Sequence, residues 1–204
     1  MYISECDHCN RSSQAYRYPL LETHNFTIVC DAHPLIEGHI LIIPKDHISC
    51  VGSFSSKLYS EFIELYKKCS HFIKEIYGYV SSFEHGVMGQ TVFHAHVHLL
   101  PFIGNPERIV PEGSKKLFNL SNISEVKKFY EKEKKYLFFS IEESSWVVDT
   151  SIGAPRFFRD RFAKALCVPE RGNWKTMSED IQYMKKVEKE NTSVVDKWNI
   201  YLHK

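Results

Sequence analysis

Gly89-Gln90-Thr91-Val92-Phe93-His94-Ala95-His96-Val97-His98-Leu99-Leu100-Pro101 places three histidines at i, i+2 and i+4, with apolar residues between and after them. Alternate residues of a β-strand leave on one face. An extended backbone therefore sets His94, His96 and His98 in one imidazole row and turns Ala95, Val97 and Leu99 toward a core. A helix would rotate successive rings at this spacing by about 200°. The β-branched content and the closing Pro101 favour the strand. Imidazoles so arranged suit two chemistries. One is metal ligation. The other is attack on phosphorus by a ring nitrogen, with neighbouring groups fixing its tautomer.

The rest of the chain bounds the setting. With 204 residues, 43% hydrophobic and 25% charged, it can bury one substantial core, with or without an appendage. A net charge of +1 gives no bulk attraction to nucleic acid or to anionic membranes, so an anion site must come from local clustering. No apolar run approaches the ~20 residues of a membrane span. The N-terminal Met1-Tyr2-Ile3-Ser4-Glu5-Cys6 lacks the basic and apolar segments of an export signal. The six cysteines then read as reduced thiols or metal ligands in a cytoplasmic protein, rather than a disulfide framework.

Working outward from the triad, strands are expected at 25–31, 39–44, 79–84 and 91–101. A long amphipathic helix is expected over 53–77, with Ser53, Ser55 or Ser56 as cap and Gly78 as stop. Beyond Pro101 the texture changes. Residues 104–119 read as loop, 123–135 as a charged helix, and 136–143 with 146–151 as a hairpin. Residues 155–167 and 177–189 read as further helices. Phe157, Phe158, Phe162, Trp146 and Trp174 read as core residues rather than stacking platforms.

Taken together these residues resemble the histidine-triad (HIT) superfamily. His94-Ala95-His96-Val97-His98-Leu99-Leu100 matches its His-φ-His-φ-His-φ-φ signature, Gln90-Thr91 its Gln-Ser-like pair, and Gly38-His39-Ile40-Leu41-Ile42-Ile43-Pro44-Lys45 its G-H-φ-L-φ-φ-P-K strand. The resemblance covers residues from about 25 to 101, in the family's order of elements. It implies an α+β HIT-like fold, with an antiparallel sheet of about five strands and one long helix packed on it. Residues 1–104 would form the HIT domain with an N-terminal zinc knuckle, and 105–204 a C-terminal hairpin and helical extension packed on that core.

The resemblance also implies roles. His96 would attack the α-phosphorus of a nucleoside 5′-phosphate derivative and form a covalent nucleotidyl-histidine, which water hydrolyses. His98, Gln90 and Thr91 would contact the phosphate or leaving group, and His39 would stand nearby. Asp31 would accept from the ribose hydroxyls; its local alternative is a turn residue bonding its own backbone. His98 stands where the galactose-1-phosphate uridylyltransferase branch carries Gln, which favours the hydrolase branches. The implied substrates are dinucleoside polyphosphates, phosphoramidates and nucleotidyl adducts, and a homodimer is implied as well. Zinc-containing members draw ligands from a C-x-x-C, a histidine after the Pro-Lys turn and the first triad histidine. Here those are Cys6, Cys9, His47 and His94, a closed Cys₂His₂ shell for a structural Zn²⁺. His8 lies inside that knuckle, an awkward place for a ligand. Pro155-Arg156-Phe157-Phe158-Arg159 is more loosely similar to a tail of longer bacterial members. Arg156 and Arg159, three apart, would share a helix face and offer forks to phosphate, the alternative being a solvated basic face. A different class of function, an adaptor binding a nucleotide or an RNA end with little turnover, fits the same fold. Near-neutral charge argues against broad nucleic-acid affinity.

Overall fold

The computed structural model describes Ile3 and residues 5–204. Met1, Tyr2 and Ser4, part of the stretch read above for an export signal, lie outside the described residues. The strands are β1 (Pro19–Glu22), β2 (Phe26–Cys30), β3 (Ile40–Pro44), β4 (Ser81–Gly86), β5 (Val97–Leu100), β6 (Leu117–Leu120), β7 (Tyr136–Ile141) and β8 (Ser144–Val148). The helices are α1 (Ser56–Tyr77), α2 (Glu125–Glu133), α3 (Phe157–Ala165), α4 (Trp174–Met177) and α5 (Ile181–Leu202). No helix among the described residues is long and apolar enough to cross a membrane.

The architecture is α+β, but the sheet has eight strands rather than about five, in the order β1-β2-β3-β5-β4-β7-β8-β6. Every pair is antiparallel. The increase has two sources. The hairpin β7–β8 adds to the outer edge of β4 through six residue pairs, from Ser81 opposite Ile141 to Gly86 opposite Tyr136. β6 and β1 were not expected, because each is only four residues long and carries no fully buried residue, so neither has a strong apolar alternation.

Strands β2, β3, β4, β5 and β7 are buried along their whole length because both sheet faces are covered. On one face, Phe26, Ile28, Ile40, Ile42, Val97 and Leu99 pack with Phe62, Leu65, Cys69 and Phe72 of α1 and Val194 and Trp198 of α5. Helix α1 starts where the Ser55 side chain accepts the Leu58 N–H and stops at Gly78, whose φ of 89° only glycine adopts readily. α5 is far longer than its charged sequence suggests. Val187, Asn191, Val194 and Trp198 form a thin buried seam along it, and Trp198 meets Phe72 edge to face at 4.8 Å. Truncating such a buried indole to alanine costs about 3–5 kcal/mol.

The other face carries Phe83, Leu100, Leu137 and Phe139 against Phe157, Phe158 and Phe162 of α3, which are core as expected. Between the two halves Glu84 is buried. Val51 N–H donates to its Oε1 at 2.8 Å, and the Tyr136 hydroxyl donates to Oε2. Burial outweighs both bonds and pushes the carboxyl up to about 7.

The triad strand is shorter than expected. β5 begins at Val97, and the chain before it is irregular, with bends over residues 91–94. Only Val97, His98 and Leu99 pair with β3. Upstream the chain is held otherwise, by Ala95 N–H donating to the Ile48 carbonyl and by histidine side-chain bonds. The expected single row of imidazoles is therefore split.

Candidate functional site

Each histidine of the triad has one nitrogen fixed by a backbone or imidazole partner, and this assigns the other. His96 Nδ1–H donates to the His94 carbonyl at 2.6 Å, so Nε2 keeps its lone pair. The His96 ring lines a cavity of about 790 Å³. His98 is fixed through a relay. Leu35 N–H donates to His39 Nδ1 at 3.1 Å, so His39 carries its proton on Nε2 and donates to His98 Nδ1 at 2.9 Å. His98 is left with an N–H at Nε2, and its ring also lines the cavity. Phe83 stacks on His98 at 4.1 Å. Burial holds His96 below, and His98 well below, the ordinary histidine range, so both are neutral near pH 7. A lone pair and an N–H thus stand on rings 5.0 Å apart in one cavity.

Asp31 follows β2 and is buried beneath α3. Its Oδ1 accepts the His33 N–H at 2.8 Å, as a turn aspartate does, and its Oδ2 accepts Arg159 Nη1–H at 2.7 Å. Burial alone would raise this carboxyl, but the Arg159 guanidinium and the His39 and His98 rings hold it well below the usual carboxylate range. Both oxygens are engaged, so a ribose would compete with an arginine for them. Arg159 also donates to the His33 carbonyl at 2.6 Å and lines the cavity. Arg156 does not join it. Arg156 precedes α3 with φ 57° and pairs with Asp160 at 3.3 Å. The expected common face fails because Arg156 lies outside the helix, and only Arg159 lines the cavity.

Thr91 lines the cavity. Gln90 Nε2 donates to the Ser49 carbonyl at 2.7 Å, while its Oε1 is buried without a partner among the described residues. The segment before α3 clamps this loop. Arg156 N–H donates to the Gly89 carbonyl at 3.1 Å, and a Cβ at Gly89 would meet the Ala154 oxygen at 2.4 Å. Phe158 N–H, in the first turn of α3, donates to His85 Nε2 at 3.0 Å.

Some cavity residues carry little signal in the sequence. Trp174, expected in the core, instead stands on the cavity wall beside His33, ring centroids 5.6 Å apart. His8 also lines the cavity, with its ring 4.8 Å from that of His96. Its place between two cysteines was the only hint.

His94 turns away to a different cluster. Its Nε2–H donates to the Pro44 carbonyl at 2.8 Å, which leaves Nδ1 as a lone pair. That nitrogen lies 3.5 Å from Cys6 Sγ and 3.6 Å from Cys9 Sγ, and His47 Nδ1 lies 3.4 Å from Cys9 Sγ. Bonds of ~2.3 Å to sulfur and ~2.0–2.1 Å to nitrogen at a tetrahedral angle place S and N about 3.6 Å apart. Cys6, Cys9, His47 and His94 therefore fit a tetrahedral ion. Asp31, His39 and His98 also bring three ligand atoms within 4.8 Å of one another. There, however, the Arg159 cation already sits on the carboxylate.

Comparison with known proteins follows the same lines. The HIT domain family model matches residues 13–103. An uncharacterized HIT-like protein of Borreliella burgdorferi is 32% identical over 120 residues, covering 56% of this chain and 82% of that protein. An adenosine 5′-monophosphoramidase of Candida albicans is 30% identical over 92 residues, covering 41% of this chain and 60% of that one. Among solved structures, a HIT family hydrolase from Clostridium thermocellum is 28% identical with a TM-score of 0.41, covering 50% of this chain and 93% of that one. On the family-model match, the Borreliella relative and the triad itself, the chain belongs to the HIT family.

Proposed function

We propose that the protein is a nucleotide hydrolase or nucleotidyltransferase acting at the α-phosphate of nucleoside 5′-phosphate derivatives. One observation carries this reading: His96 gives its Nδ1 proton to the His94 carbonyl and holds an Nε2 lone pair in a cavity of about 790 Å³, the size of a small-ligand pocket. In the first step Nε2 bonds to phosphorus, and the leaving group departs with its electron pair and takes up a proton. In the second step water bonds to phosphorus, the N–P bond breaks, and the nucleoside monophosphate leaves with the imidazole restored. The His98 Nε2–H and the Thr91 hydroxyl, both on the cavity lining, would donate to the phosphoryl oxygens as charge builds on them. Arg159 adds a fixed positive charge beside them. The name of the Candida relative puts phosphoramidates first among the substrates to try, with dinucleoside polyphosphates and nucleotidyl adducts next.

A structural Zn²⁺ on Cys6, Cys9, His47 and His94 is part of the same proposal. The S–N separations and the free Nδ1 of His94 support it. When bound, such an ion would tie the N-terminal arm to the start of the triad segment and supply no reacting group. We assign residues 1–104 to the HIT domain with this knuckle and 105–204 to an extension that brings Arg159 and Trp174 to the cavity.

The test is turnover of adenosine 5′-monophosphoramidate and of adenosine-capped polyphosphates by His96→Ala, with zinc content measured in parallel. The proposal expects loss of monophosphate release with zinc retained. Full activity in that variant would refute it, and tight binding of RNA ends without turnover by the unaltered protein would favour the adaptor reading.

A further inference from the structure

The knuckle carries a side chain that the proposed reaction has not used. His8 lies between Cys6 and Cys9, yet it is no part of the four-ligand cluster. Its ring is 6% exposed, lines the cavity, and stands edge to face against His96 with centroids 4.8 Å apart. That is as near to His96 as the His98 ring, at 5.0 Å. Its Nδ1 is buried with no hydrogen-bond partner among the described residues.

The backbone around His8 is held firmly. Cys9 N–H and Asn10 N–H both donate to the Cys6 carbonyl, at 2.9 and 3.0 Å, and the Tyr16 hydroxyl donates to the His8 carbonyl at 2.5 Å. The ring is therefore placed by the turn of the knuckle rather than by bonds of its own. A side chain needed only as filler would favour an apolar residue, because an unpaired buried nitrogen is costly. The ring borders the cavity beside His96, so a group bound there lies against it.

We propose that His8 is a further phosphate-contacting residue, donating an N–H to an oxygen of the phosphoryl group under attack by His96. This rests on the reading of His96 as nucleophile. No bond to His8 forms or breaks, and its proton stays in place throughout. The Cys-x-x-Cys turn then has a second task, because the loop that would hold the metal also delivers a donor to the reacting phosphorus. Metal site and reaction site become mechanically coupled through one residue.

The experiment uses the full-length, zinc-loaded protein and adenosine 5′-monophosphoramidate as substrate. His8→Phe keeps a ring without a donor, and His8→Asn keeps an amide N–H in place of the imidazole. His8→Phe is expected to lower kcat by on the order of 10²-fold, with KM changed much less, zinc unchanged and Tm preserved. His8→Asn is expected to restore most of that loss. Wild-type kcat in His8→Phe, or no recovery in His8→Asn, would overturn the proposal. So would loss of zinc in both variants, which would make His8 a part of the metal shell. Activity in His96→Ala would sink the nucleophile reading itself. An inactive His96→Ala beside a fully active His8→Phe would remove only the role given to His8.

Discussion

Two clusters of metal-ligand side chains share the triad segment, and they are built for different guests. Cys6, Cys9, His47 and His94 turn four donor atoms toward one another at 3.4–3.6 Å for the sulfur–nitrogen pairs. Asp31, His39 and His98 gather as closely, but Arg159 stands 2.7 Å from the carboxylate and His39 bonds His98 directly. The first cluster presents donors of the kind a cation takes. The second already contains one, so what it can still attract is an anion. Histidine burial does not separate the two, since each holds a buried triad histidine, His94 in one and His98 in the other. The partner of the far nitrogen does. The Pro44 carbonyl frees Nδ1 of His94 toward the thiols, while His39, by donating to Nδ1 of His98, leaves that ring's proton on Nε2 toward the cavity.

The sharpest way to test this contrast is to exchange losses between neighbours two residues apart. His96→Ala is expected to lower kcat by about 10⁴-fold, or roughly 5.5 kcal/mol of barrier, while zinc content and Tm hold. His94→Ala or Cys9→Ser is expected to do the converse first: zinc measured by atomic absorption falls to below one equivalent, and stability drops as the arm is released. Equal zinc loss in all three variants would break the comparison. Next in size, Arg159→Met leaves Asp31 buried without its cation and should cost about 3–5 kcal/mol in urea unfolding. If the arginine is what distinguishes the clusters, this variant should also bind a second equivalent of Co²⁺, read from its visible absorption. Absence of that second equivalent would show that His39 and His98 alone exclude a metal.

The smallest effect is one of pH and lies between the two halves of the sheet. Glu84 is pushed by burial from 4.5 to about 7. Below about pH 4.5 it is protonated both folded and unfolded. As pH rises from there, the unfolded chain ionises while the folded chain does not, so stability falls until about pH 7, by about 3 kcal/mol in all. Glu84→Gln should flatten that slope in urea titrations at several pH values. An unchanged slope would mean that another group sets it.

What could be read from the sequence were the features with short, fixed spacing. The HIT core from Asn25 to Pro101 and the set Cys6, Cys9, His47 and His94 follow from local motifs, and the structure brings those four residues together. The failures are long-range or weakly patterned. Arg159 finds Asp31 across 128 positions, and nothing local distinguishes it from Arg156. β6 is half-exposed and reads as loop, and α5 hides a one-residue-wide seam in a charged helix. Trp174 was assigned to the core because nothing near it signals a cavity. His8 reads only as an awkwardly placed ligand, because a motif specifies its ligands and says nothing of the residues between them.

The joining of β7 to β4 reaches beyond the site. An unpaired strand invites a neighbour, and many proteins answer that invitation with a second molecule. Here residues 136–141 of the same polypeptide take the place, and α5 covers the helix on the sheet's reverse side. A twin chain seeking to dock along β4 would first have to evict that resident strand. The strand that completes the sheet beside β4 is thereby supplied by the same molecule.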